Sequence, residues 1–201
     1  MEQLLDLSMW AVIGFMLASY SVIGNDSIQT LGTFIAANEK INWKWKFLFS
    51  AIIFCSIIVF CWYTNNGDIA YGRLGRIDYI EPKWYHVMAP AVLLLLTRYG
   101  IPVSTTFLVF SVFASGFILE KIIVKSVMGY GVAAVTAYVL WLVISSYMDE
   151  KTDRVKPKNV KYWRVAQWAS SSYLWVAWLQ HDLANIAVYL PRQVSFELLV
   201  L

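Results

Sequence analysis

Three short polar runs interrupt otherwise apolar stretches of this sequence. The first is Gly24, Asn25, Asp26, Ser27, Gln29 and Thr30, with Gly32 and Thr33 close behind; the second is Gly100, Ile101, Pro102, Val103, Ser104, Thr105 and Thr106; the third is Gln180, His181, Asp182 and Asn185. Carboxylates, carboxamide oxygens and free carbonyls are hard ligands suited to a hard cation, whereas hydroxyls, amides and free backbone N–H groups suit an oxyanion. An Asp at the centre of a spanning helix costs about 2.5–3.5 kcal/mol on insertion scales, so it is retained mostly where it faces a cavity, a partner or an ion. Asp26 is accordingly expected at the break of a discontinuous helix, the alternative being a polar loop joining two shorter segments. Pro102 predicts a helix break, since it donates no N–H and disfavours helix at Ile101. Three hydroxyls follow it, which either bond back to their own turn or face a ligand. The first and third runs each place a carboxamide three residues after an Asp, Gln29 after Asp26 and Asn185 after Asp182, so the pair shares a helix face. His181 beside Asp182 is a candidate for titration near neutral pH, hence for proton coupling, or is simply hydrogen-bonded within the bundle.

The elements that must hold these residues are membrane spans. Of 201 residues, 59% are apolar and 14% charged, and mean hydropathy is +0.58; a soluble domain is nearer ~45–50% apolar and ~25% charged. The net charge of +3 is modest for a nucleic-acid binder, so no nucleic-acid partner is expected. Cys55 and Cys61 sit in an apolar run and read as buried thiols without a disulfide. Glu2 and Asp6 stand where a signal peptide carries positive charge, so the first apolar run is expected to remain in the mature chain. No nucleophile and base pair or metal-ligand spacing points to an enzyme.

Apolar blocks cover residues 7–23, 31–37, 47–63, 84–96, 101–119, 127–147 and 165–190. Taking 7–37 as one interrupted crossing, and about 20 residues per span, five crossings precede the polar stretch 148–164 and a sixth follows. With the N-terminus outside, the inner loops hold Lys40, Lys44, Lys46, Arg98, Lys151, Arg154, Lys156, Lys158, Lys161 and Arg164 against Arg73, Arg76, Lys83, Lys121 and Lys125 outside, ten against five. Cytoplasmic loops accumulate Lys and Arg, which favours that orientation. An odd count also inverts whatever follows residue 164. The expected organisation is a first repeat over 1–148, a basic cytoplasmic loop over 149–164, and the start of a second, inverted repeat over 165–201, with the apolar ending reading as a truncation within a longer protein or as a smaller chain that pairs with a second copy.

On these residues the chain resembles the inorganic phosphate transporter (PiT) family. That family carries a G-A-N-D-V-A-N signature early in each of two inverted halves and a P-V-S-T-T-H-type motif later in each. Here the first signature reads Gly24-Asn25-Asp26-Ser27-Ile28-Gln29, the break motif Pro102-Val103-Ser104-Thr105-Thr106, and the second signature His181-Asp182-Leu183-Ala184-Asn185. Gln29 and His181 each stand where the family has Asn, Phe107 stands where it has His, and there is no second hydroxyl motif.

The resemblance implies an all-α, polytopic membrane protein, an inverted-repeat secondary transporter with discontinuous helices, located in the cell membrane. It implies symport of inorganic phosphate with sodium or protons and no other cofactor. Asp26 and Asp182, helped by Asn25 and Asn185, are then assigned to the cation, sodium in the first instance, and Gln29, Ser104, Thr105 and Thr106 to the oxyanion. Arg98 reads as an interface anchor. Partners are the oxyanion, the bilayer, and a second copy or second half. Two alternatives remain open: another tetrahedral oxyanion such as sulfate, and a non-transporting scaffold subunit whose polar breaks merely join helices.

Overall fold

The computed structural model describes residues 6–101, 103–148 and 160–200. Pro102 and most of the expected basic loop, 149–159, lie outside the described residues. What is described is helical, without strands, and three helices are long and apolar enough to cross a membrane, which fits a membrane protein.

Helix α1 (Met9–Ala37) starts at Ser8, whose side chain accepts from the Ala11 N–H at 3.2 Å. Its buried positions, Ala11, Gly14, Ala18, Val22, Asn25, Asp26, Thr30 and Phe34 among them, recur every three or four residues and form one stripe. The expected interruption at residues 24–33 is absent. No proline falls there, and the hydroxyls bond back onto their own turns, Ser27 to the Gly24 carbonyl at 3.1 Å and Thr30 to the Asp26 carbonyl at 2.6 Å. Local polarity is thus absorbed within a continuous helix. Helix α2 (Trp43–Thr64) follows, capped by Asn42 on the Lys44 N–H.

A loop containing a short 3-10 turn (Arg73–Arg76) leads to α3 (Trp84–Arg98). That helix ends as a Schellman motif: Gly100 has φ +70° and bonds Thr97, and Ile101 bonds Leu96, both at 3.0 Å. Gly100, Ile101, Val103 and Ser104 are outside any helix, and Ser104 then caps α4 (Thr105–Phe110). The residues flanking Pro102 thus show the expected break, but its consequence differs from expectation. Phe113, just past α4, stacks on His86 in the first turn of α3, ring centroids 4.4 Å apart, so the two arms form a hairpin whose ends lie together. Arms of 15 and 6 residues are shorter than the about 20 a span requires, against the crossings expected at 84–96 and 101–119.

Helix α5 (Gly116–Met148) is the longest at 33 residues, and none of its most apolar window is buried. Helix α6 (Val160–Ala187) runs antiparallel to α1: Tyr189 lies against Gly14, Trp168 edges Phe34 at 4.9 Å, and Asn38 donates to Gln167 at 3.3 Å. Its third polar run is also unbroken, the helix ending only at Ala187, ahead of Pro191. The segment after it is tied down by Trp62 Nε1 on the Val194 carbonyl at 2.7 Å and by Arg192 on the Ile77 carbonyl at 2.9 Å; a short α7 (Phe196–Val200) closes the description. The core has two clusters, one where α1, the hairpin and the end of α6 meet, and one between α1, α2 and α6. Both cysteines are free as expected; Cys61 is buried, but Cys55, on the outward face of α2, is exposed.

Candidate functional site

The hairpin tip, the middle of α1 and the last turns of α6 converge on one place. Asn25 and Asp26 fall on the buried stripe of α1, and Asn25 Nδ2 reaches the unwound Val103 carbonyl at 3.2 Å and Asp26 Oδ1 at 3.2 Å. Gln29, one turn further, donates to the same carbonyl at 3.4 Å. From the hairpin, Thr105 and Thr106 donate to Asp182 Oδ2 and Oδ1, each at 3.3 Å. Asn185, one turn beyond Asp182 on α6, donates to its Oδ1 at 3.0 Å and reaches both threonine hydroxyls, at 3.1 and 3.3 Å. The face shared by residues three apart is thus realised on α6. His181 Nδ1 lies 2.6 Å from Asp182 Oδ1, with more than half of its side chain exposed.

The residues assigned a cation, oxyanion or proton role in the sequence lie in this region: Asn25, Asp26, Gln29, Ser104, Thr105, Thr106, His181, Asp182 and Asn185. All except Asn25 and Asn185 line a cavity of about 620 Å³, room for about twenty waters at their liquid volume. Asp26 and Asp182 are electrostatic neighbours across it and are 1% and 4% exposed. Asp26 Oδ2 and Asn185 Oδ1 are buried without a hydrogen-bond partner. Such atoms cost free energy unless something occupies them. Two carboxyls on one cavity, with the unpaired Asp26 Oδ2 among their oxygens, form a hard, electron-rich wall, which fits a small cation or a proton.

Unwound main chain does stand beside the carboxylates, but the hairpin supplies it and their own helices do not. The threonine hydroxyls also face Asp182, so in this arrangement they are donors to a carboxyl. Sequence reasoning missed Trp178, whose buried Nε1 lacks a partner and stands near Asp26. Its position one turn before Asp182 is the signal that would have found it. Tyr130 of α5, another wall residue, carried no signal, because only tertiary packing brings it there. Arg73, in the loop outside the long helices, interacts with Asp182; burial pulls its guanidinium below the ordinary value while the Asp182 charge draws it back up.

Among the described residues these features define a helical protein with three helices apolar enough to cross a membrane and a buried pair of carboxyls between helices. Comparison with protein-family models, with curated proteins and with solved structures finds no match.

Proposed function

We propose that the chain is part of an integral membrane symporter that moves an inorganic oxyanion, phosphate in the first instance, together with sodium or protons. The single observation that carries this reading is the buried pair Asp26 and Asp182, with orphaned oxygens beside it, on a cavity bounded by a broken hairpin. Carboxyls at such a depth are stable only with a cation or proton to offset them. A dianion crosses hydrocarbon only if its charge is offset, and co-bound cations do that. The motif likeness to the PiT family selects phosphate; sulfate shares its tetrahedral oxygens and is the nearest alternative.

In this reading α1 enters from outside, α2 returns, the α3–α4 hairpin dips in from outside and comes back, α5 crosses inward and α6 outward. Crossings before the stretch 149–159, which ends where α6 begins at Val160, become three in place of five. The number stays odd, so the helix bearing Asp182 opposes the one bearing Asp26, in keeping with an inverted repeat. Arg98 moves from the inner loops to the hairpin tip, and ten less one leaves nine basic residues inside against five outside. The bare apolar surface of α5 suits lipid together with a second half or a second copy. The scaffold reading draws on the same threonine and carboxamide bonds between helices, but it gives no reason for two adjacent buried carboxyls.

Uptake of labelled phosphate into proteoliposomes, driven by a sodium or proton gradient, tests the reading in the protein as it occurs in its membrane. Asp26→Asn and Asp182→Asn are each expected to insert normally and to lose coupled uptake. Full uptake in both variants refutes the role given to the carboxyl pair, and wild-type uptake no greater than that of empty liposomes refutes the carrier and leaves the scaffold.

A further inference from the structure

A second cavity, of about 720 Å³, adjoins the first, with Ser104, Thr106, Tyr130 and His181 common to both walls. Its remaining wall comes mostly from the 3-10 turn and the opening turns of α5, with Phe110 of α4, and among the described residues it carries Arg73, Lys121 and Lys125 and no Asp or Glu. Lys121 and Lys125 lie one turn apart on the face of α5 that also holds Ile118 and Ile122, and those two isoleucines pack on the hairpin core. Both lysines therefore stand on the side of α5 that borders the cavity. Among the described residues none of the three cations makes an ion pair; Lys121 Nζ only rests 4.0 Å above the Phe117 ring.

Three like charges gathered on one space repel, and on a helix alone such a pair at this spacing is destabilising. An anion in the cavity reverses the sign. The position suits a mouth: residues 127–146 of α5 are 20 consecutive uncharged residues, enough to fill about 30 Å of hydrocarbon, so Lys121 and Lys125 stand just beyond that slab. Serine hydroxyls at 104 and 126 add donors to the wall. Arg offers a planar fork to two oxygens of a phosphate group, and Lys a point charge that follows it.

We infer that this cavity is an anion-capture site for a phosphate-type group, held by Arg73, Lys121 and Lys125 before it passes Ser104 and Thr106 to the carboxyl-lined cavity. The inference deepens the carrier reading and rests on it for its role, though not for its chemistry. Capture at the mouth needs no cation, because the site supplies three of its own.

Binding of labelled inorganic phosphate to the full chain in phosphatidylcholine nanodiscs tests it, at low salt and without sodium. Wild-type protein is expected to bind, with affinity falling as sodium-free salt rises. Arg73→Gln and the double variant Lys121→Gln/Lys125→Gln are each expected to weaken binding about tenfold or more, with Arg73→Lys between. Lys121 and Lys125 are exposed, so their double variant keeps the fold should Arg73→Gln lose it. Asp26→Asn is expected to retain this sodium-independent binding while losing coupled uptake, which separates the two readings: binding without any uptake sinks the carrier alone, and uptake without sodium-independent binding sinks the mouth alone. Native mass spectrometry after transfer to phosphatidylglycerol discs distinguishes the source of the group. A lipid retained by wild type and lost in Arg73→Gln identifies a headgroup as occupant, whereas neither phosphate nor lipid held through the three cations overturns the inference.

Discussion

Gly14→Ala is the smallest change that tests how α6 is seated on α1. The Tyr189 ring abuts Gly14, where an added Cβ would fall inside the envelope of Cδ1 and Cε1 and 3.2 Å from Cγ. The ring cannot swing away freely. Its hydroxyl donates to the His86 carbonyl at 2.8 Å, its edge meets Phe113 at 5.1 Å, and it is fully buried. Carbon pairs settle at about 3.5–4.0 Å, so relief requires a shift of roughly 1 Å in α6 or in the ring. Overpacking of this kind costs about 1–3 kcal/mol, and loss of the hydroxyl bond adds about 0.5–1.5 kcal/mol. A loss of about 2–4 kcal/mol is therefore expected, read as unfolding in mild detergent with increasing SDS. Because Asp182 lies two turns before Tyr189 on the same segment, the shift also displaces it from Thr105 and Asp26, and coupled uptake should fall with stability. Tyr189→Phe alone should cost only the hydrogen bond, and Tyr189→Ala combined with Gly14→Ala should cost less than the two singles added, because the clash is gone. Gly14→Ala within about 0.5 kcal/mol of wild type, the scatter of ordinary surface changes, would show that the helices do not meet there.

Thr105→Val deletes a donor to a buried carboxyl; at 3.3 Å the bond is longer than the usual O–H···O range, so the low end of a charged bond, about 1.5 kcal/mol, applies, seen as about tenfold weaker apparent sodium affinity in uptake assays. His181→Asn should lower coupled uptake by removing the imidazole from Asp182 Oδ1; uptake equal to wild type shows that the ring does not act on the carboxyl. A lipid-soluble maleimide should label Cys55 in the folded protein and leave Cys61, which has no exposed surface, until SDS unfolds the bundle.

Much of the site was readable beforehand because its signals are local. Asp26, Asp182 and their carboxamides declare themselves by being polar within apolar runs, where retention has a cost. The helix break is written in Gly100 and Pro102, residues whose backbone preferences act within one turn. The mistaken interruptions at residues 24–33 and 180–185 arose from treating polarity as a helix breaker, whereas Ser27 and Thr30 satisfy themselves on their own turns.

The hairpin was not readable, since arms of this length pass for short spans, and nothing local to residues 84–119 states that the two arms fold back on each other. The stack of His86 on Phe113 decides that, and it joins residues far apart in sequence. Likewise, the third wall of the carboxyl cavity and the basic mouth beside it exist only once α5 is laid against the hairpin. Composition, periodicity and backbone chemistry act over a turn or two, so they determined a greasy helical chain with two acids and a break. Bringing those acids, that break and three distant cations around adjoining spaces is the work of long-range packing, which no single segment encodes.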